Sequence, residues 1–90
     1  MPESTVKIVN PLGLHARAAA KLVRLAGEYQ SSISIERPGA EKTADARSIV
    51  SILELGARHG SSLIVRADGT DSQNAIEALT HLFESGFGET

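Results

Sequence analysis

Runs of alternating and helically spaced apolar residues divide the chain into seven elements. Val6 and Ile8 alternate with Thr5 and Lys7, which predicts a first strand over Thr5–Val9. Asn10-Pro11-Leu12-Gly13 follows as a turn. From Ala16 to about Ala26 the spacing is helical. Ala19, Leu22, Val23 and Ala26 share one face, Arg17, Lys21, Arg24 and Glu28 another, and Gly27 supplies the stop. Ile33 and Ile35, set between Ser32, Ser34 and Glu36, predict a second strand. A turn at Arg37-Pro38-Gly39-Ala40 leads into a short third strand from about Glu41 to Ala44. A compact helix near Ser48 crowds Ile49, Val50, Ile52, Leu53 and Leu55 into two turns and ends at Gly56. Ser62–Ala67, built around Leu63 and Val65, gives the fourth strand. The last helix has capping-box spacing at Thr70 and Gln73, a stripe of Ala75, Ile76, Leu79, Leu82 and Phe83, and a stop at Gly86.

The order β-α-β-β-α-β-α predicts an α+β open-faced sandwich. A four-stranded antiparallel sheet carries three helices on one face, and its other face meets solvent. The length, 90 residues, suits a single domain over 1–90. With no Trp, one Tyr and two Phe the core must be aliphatic. A core this small leaves no deep cavity for a large cofactor. Chemistry therefore belongs on the surface, with the reactant carried in by a second protein.

Charge and composition narrow the classes further. Nine basic against eleven acidic side chains leave a formal charge of -2, which speaks against a nucleic-acid binder. Without cysteine there is no disulfide framework and no thiolate metal site. No basic-then-apolar leader or membrane-length apolar run is seen, so a cytoplasmic protein without membrane partners is expected. His15, His59 and His81 are far apart and lack clustered carboxylates, so no metal is expected. No P-loop pattern occurs, so phosphate would arrive on a protein rather than as a bound nucleotide.

The segment that carries chemistry is Gly13-Leu14-His15-Ala16-Arg17-Ala18-Ala19. A turn delivers His15 to a helix start, where free N–H groups and the helix dipole favour negative charge. Arg17 adds a fork of donors suited to phosphate oxygens. Neutral imidazole keeps a lone pair on one nitrogen and attacks phosphorus through it. The same segment also reads as a plain surface histidine near a helix cap.

This segment resembles the active-site signature of the histidine-containing phosphocarrier (HPr) family of the bacterial phosphoenolpyruvate-dependent sugar phosphotransferase system. Arg47-Ser48-Ile49-Val50-Ser51-Ile52-Leu53-Glu54-Leu55-Gly56 resembles the family's second signature, around its regulatory serine. The resemblance spans essentially the whole chain and agrees with the element order. It implies a stoichiometric carrier, not an enzyme, with no cofactor of its own. His15 would accept a phosphoryl group at Nδ1 from phosphorylated enzyme I and pass it to a histidine of an enzyme IIA domain. Arg17 would steady the group in both transfers. Ser48 would be the target of an ATP-dependent kinase where one exists, with a phosphorylase and a transcriptional regulator as further partners. The carrier would act as a monomer.

Several readings stay open at this level. Ser48 is either a modification site or an ordinary cap, and Asp45 competes for the cap. Ile49, Val50, Ile52 and Leu53 cover nearly half of a short helix. Either all four are core, or Ile49 and Leu53 join a docking patch rimmed by Arg17, Lys21 and Arg24. Two residues depart from the resemblance: Ala18 stands where proline is usual, and Leu12 where a small polar residue is common. The Pro38-Gly39 loop is about two residues longer than usual. Two other functions compete. One is the nitrogen-related branch with regulatory recipients; the other is a docking module controlled through Ser48 with His15 idle.

Overall fold

Strand alternation and helix periodicity together decide where the core lies. A computed structural model describes residues 2–89. β1 (Glu3–Lys7), α1 (Ala16–Ala26), β2 (Ser32–Arg37), β3 (Lys42–Asp45), α2 (Ile49–Glu54), β4 (Ser62–Asp68) and α3 (Ser72–Glu84) follow in order, then a 3₁₀ turn at Gly86–Gly88. The strands form one antiparallel sheet in the order β1-β4-β2-β3. This is the expected α+β open-faced sandwich.

The register places inward-facing residues opposite one another: Val6 with Leu63, Ile35 with Val65 and with Ala44, Ile33 with Ala67. Such pairs are the unit of sheet stabilisation. Leu22 of α1, Ile52 of α2 and Leu79 and Phe83 of α3 close over them with no exposed surface. Burying one such side chain contributes about 1.5–3 kcal/mol. On the opposite face Arg66 of β4 bridges Glu36 of β2 and Glu3 of β1, donating to both carboxylates.

Several boundaries differ from expectation; β2 and β4 each run one residue further, to Arg37 and Asp68. β1 starts and ends earlier, because its ladder to β4 runs over Glu3–Lys7. Ile8 is still fully buried and its N–H reaches the Ser61 carbonyl, while Val9 turns out to solvent. β3 is Lys42–Asp45, one residue later than expected. The Thr70–Gln73 capping box does not form. Asp71 occupies the N-cap of α3 without a side-chain cap bond, since its carboxylate instead binds the loop at Gln30 and Ser31.

Candidate functional site

The turn before α1 has a fixed shape. The Gly13 N–H donates to the Asn10 carbonyl at 3.2 Å, and the Leu14 N–H to the Ala57 carbonyl at 3.1 Å. Gly13 has φ +68°, and a Cβ there would stand 2.8 Å from the Ala57 oxygen. Only glycine accommodates both demands. Leu14, 6 % exposed, anchors the turn in the core, and the next residue emerges at the helix start.

That next residue is His15, the N-cap of α1. Its backbone is extended, and its Nδ1 accepts the N–H of Arg17 at 3.3 Å. Helical bonding begins with the Ala19 N–H on the His15 carbonyl. Ala18 therefore lies in the first turn, where an N–H has no helical acceptor, and it is fully buried. His15, Arg17, Pro11, Leu12 and Glu89 line one open depression. Leu12 is 70 % exposed and gives it an apolar wall in place of a polar contact.

Glu89 is a site residue that local sequence reading does not find. Its carboxylate hydrogen-bonds His15 Nε2, although the two residues are 74 apart in sequence. Asn10, 1 % exposed, donates through Nδ2 to Glu89 Oε1 at 3.2 Å and to the Gly13 carbonyl at 2.8 Å. The 3₁₀ turn aims the carboxylate: Phe87 is buried edge-on against Phe83, with centroids 5.1 Å apart, and its carbonyl accepts from Lys21 Nζ at 2.6 Å. The His15 ring holds the Glu89 carboxyl below the usual carboxylate range. Asn10 and the Lys21 charge add to this, while desolvation opposes it. An ionised carboxylate only accepts, so Nε2 carries the ring proton of neutral His15. Nδ1, facing an N–H donor, carries the lone pair. The His15 side chain is 26 % exposed, enough for a reactant to reach it.

Ser48 is the N-cap of α2, its Oγ accepting the Ser51 N–H at 3.1 Å. Asp45 does not cap the helix; its carboxylate accepts from the Arg47 N–H at 2.9 Å and shapes the turn before it. The apolar residues of α2 divide. Ile52 is fully buried, whereas Ile49 (41 %), Val50 (66 %) and Leu53 (40 %) face solvent. On α1, Arg17 and Arg24 are exposed, while Lys21 is half-buried and engaged with Phe87. His59 lies in an exposed turn and His81 on the exposed side of α3. Among the described residues no group of three or more His, Cys, Asp or Glu is placed to hold a metal. Among them also, no helix is long and apolar enough to cross a membrane.

A model of the PTS HPr component phosphorylation site matches residues 2–85. The phosphocarrier protein HPr of Cupriavidus necator is 43% identical over 89 residues, covering 99% of this chain and 98% of that protein. The phosphocarrier protein NPr of Proteus mirabilis is 42% identical over 93% of this chain and 92% of its own length. A crystal structure of HPr-C-His from Thermoanaerobacter tengcongensis superimposes with TM-score 0.94 and 42% identity, covering 100% of this chain and 99% of that one. With the His15 turn, the α2 signature and the sheet order all in agreement, the chain belongs to the HPr family of phosphotransferase-system phosphocarriers, which are carriers rather than enzymes.

Proposed function

We propose that the chain relays phosphoryl groups in phosphoenolpyruvate-dependent sugar uptake. It takes the group from phosphorylated enzyme I onto His15 and gives it to a histidine of enzyme IIA components in the cytoplasm. The observation that carries this reading is the setting of His15: a ring at a helix N-terminus whose Nδ1 faces the Arg17 N–H, in one depression with the Arg17 side chain. Attack by Nδ1 forms the N–P bond as the donor's N–P bond breaks, and the donor nitrogen keeps that electron pair. The first-turn N–H groups and Arg17 are placed to take the equatorial oxygens. The exposed Ile49 and Leu53, with Arg17, Lys21 and Arg24 as a basic rim, form the surface on which both partners dock.

Ser48 serves as the regulatory site in this reading. Phosphorylating its Oγ would set a dianion beside Ile49 and Val50, in the middle of that surface, and weaken enzyme I binding. The nitrogen-branch carrier is the second reading, and the NPr relative supports it, being nearly as similar as the HPr relative. The deciding experiment is transfer from phosphoenolpyruvate with purified enzyme I, followed by intact mass. One acid-labile phosphate on the wild type and none on His15→Ala is the expected result. No adduct with an active cognate enzyme I overturns the relay. Running the loaded carrier against sugar-specific and nitrogen-branch acceptors then separates the two branches.

A further inference from the structure

Glu89 and Asn10 have no part in the phosphoryl relay as set out so far, yet they form a continuous hydrogen-bonded chain to the reactive ring. Asn10 Nδ2 holds Glu89 Oε1, and the other carboxylate oxygen holds His15 Nε2. Lys21 and the buried Phe87 fix the segment from which Glu89 projects. Both ring contacts, Arg17 N–H to Nδ1 and Nε2–H to Glu89, select the same tautomer. We infer that Glu89 is a positioning residue for phosphoryl transfer, aiming the Nδ1 lone pair outward and balancing the charge the ring acquires when Nδ1 is phosphorylated.

The inference rests on the relay reading and deepens it. When Nδ1 gives its electron pair to phosphorus, Nε2 keeps its proton and the ring becomes cationic. The donor's N–P bond pair stays with the donor nitrogen, so no proton need move. A carboxylate on Nε2–H opposes the new positive charge directly, as the carboxylate of a Ser-His-Asp triad does for its imidazolium. Asn10 holds that carboxylate in place, the kind of support an outer-layer group gives a ligand or catalytic base. The charged groups facing the ring are Glu89 from the C-terminal segment and Arg17 from α1, with Lys21 acting on Glu89. Removing Glu89 therefore takes away the carboxylate that faces the cationic Nε2–H and leaves Arg17 as the charged side chain beside His15 in the same depression.

The test compares wild type with Glu89→Ala and Glu89→Gln. Glutamine keeps an acceptor for Nε2–H but carries no charge. Each protein is loaded from phosphoenolpyruvate through enzyme I, and the hydrolysis rate of the adduct is followed against pH. That rate changes where the phosphorylated ring loses its Nε2 proton. The inflection should move to lower pH in both variants, and the maximal acceptance rate should fall about tenfold in Glu89→Ala with KM for enzyme I unchanged. In the unloaded protein, ¹⁵N-resolved NMR should show a His15 Nε2–H that exchanges slowly with water in wild type and rapidly in Glu89→Ala. Wild-type hydrolysis profiles in both variants, or a wild-type Nε2–H exchange rate in Glu89→Ala, overturn the assignment while leaving the relay intact. A wild type that takes no phosphate removes the relay and the role of Glu89 with it.

Discussion

Asp71, at the start of α3, holds Ser31, at the entrance to β2, through two hydrogen bonds. The Ser31 hydroxyl donates to Asp71 Oδ1 at 2.5 Å and the Ser31 N–H to the same oxygen at 3.0 Å. The Gln30 N–H donates to the other oxygen at 2.8 Å. Ser31 is fully buried, so this carboxylate satisfies polar groups that water does not reach. The pair ties the loop after α1 to the last helix.

Acid should loosen that tie. Asp71 is held below the ordinary carboxylate range, first by the Ser31 hydroxyl, then by the Gln30 and Ser31 N–H groups, with desolvation opposing. A carboxyl depressed in the folded state stabilises above its unfolded value, about 3.9, and loses that contribution as pH falls through the folded value. Wild type should melt well above Asp71→Ala at neutral pH, and the gap should close as pH drops below the carboxylate range. Thermal melts across that range check it.

Gly13→Ala should damage stability and activity together. The left-handed backbone and the close Ala57 and Arg58 atoms leave no room for a Cβ. The cost should be about 1–3 kcal/mol in urea titration. Because the same turn sets His15, the phosphoryl acceptance rate of the folded fraction should fall as well.

The two faces of α2 should separate stability from docking. Ile52→Ala empties a fully buried site and should cost about 2–5 kcal/mol. Leu53→Ala, on the exposed face, should cost less than about 1 kcal/mol but raise KM for enzyme I. Denaturant midpoints and transfer kinetics on the two variants make the comparison.

Lys21 and Arg24 share a face of α1 but should respond differently. Lys21→Met breaks the bond to the Phe87 carbonyl, whereas Arg24→Met removes only an exposed charge. Both should weaken the salt-dependent part of partner binding. Lys21→Met alone should speed amide exchange at Glu89 and shift the His15 ring signals in NMR.

These differences mark which parts of the molecule the sequence carries openly. The boundaries of α1, the stripe of α3 and the inward strand residues follow local periodicity, and the structure keeps them. His15 and Arg17 are near neighbours in the chain, so one segment announces both. Asn10 reads as a turn residue because its partner Glu89 is 79 positions away. Nothing near either residue signals their pairing, which exists only once the C-terminal turn folds back over α1. The α3 cap failed to follow its motif for a similar reason, since the loop at Gln30 and Ser31 claims the Asp71 carboxylate. At Ser48 the choice of cap hung on one backbone N–H, that of Ser51.

In the proposed relay His15 is both the reactive group and the cap of its own helix, since the nitrogen that would attack phosphorus is the one that accepts the Arg17 N–H. Loading the carrier must therefore take that N–H away from the ring and offer it a phosphoryl oxygen instead. Whether cargo is aboard would then be written into the end of a helix, one residue pair deep. The Arg17 amide proton becomes a built-in reporter of cargo, its resonance moving when phosphate arrives and returning on hand-over. A partner that grips this helix end can feel the same difference, and so tell a full carrier from an empty one.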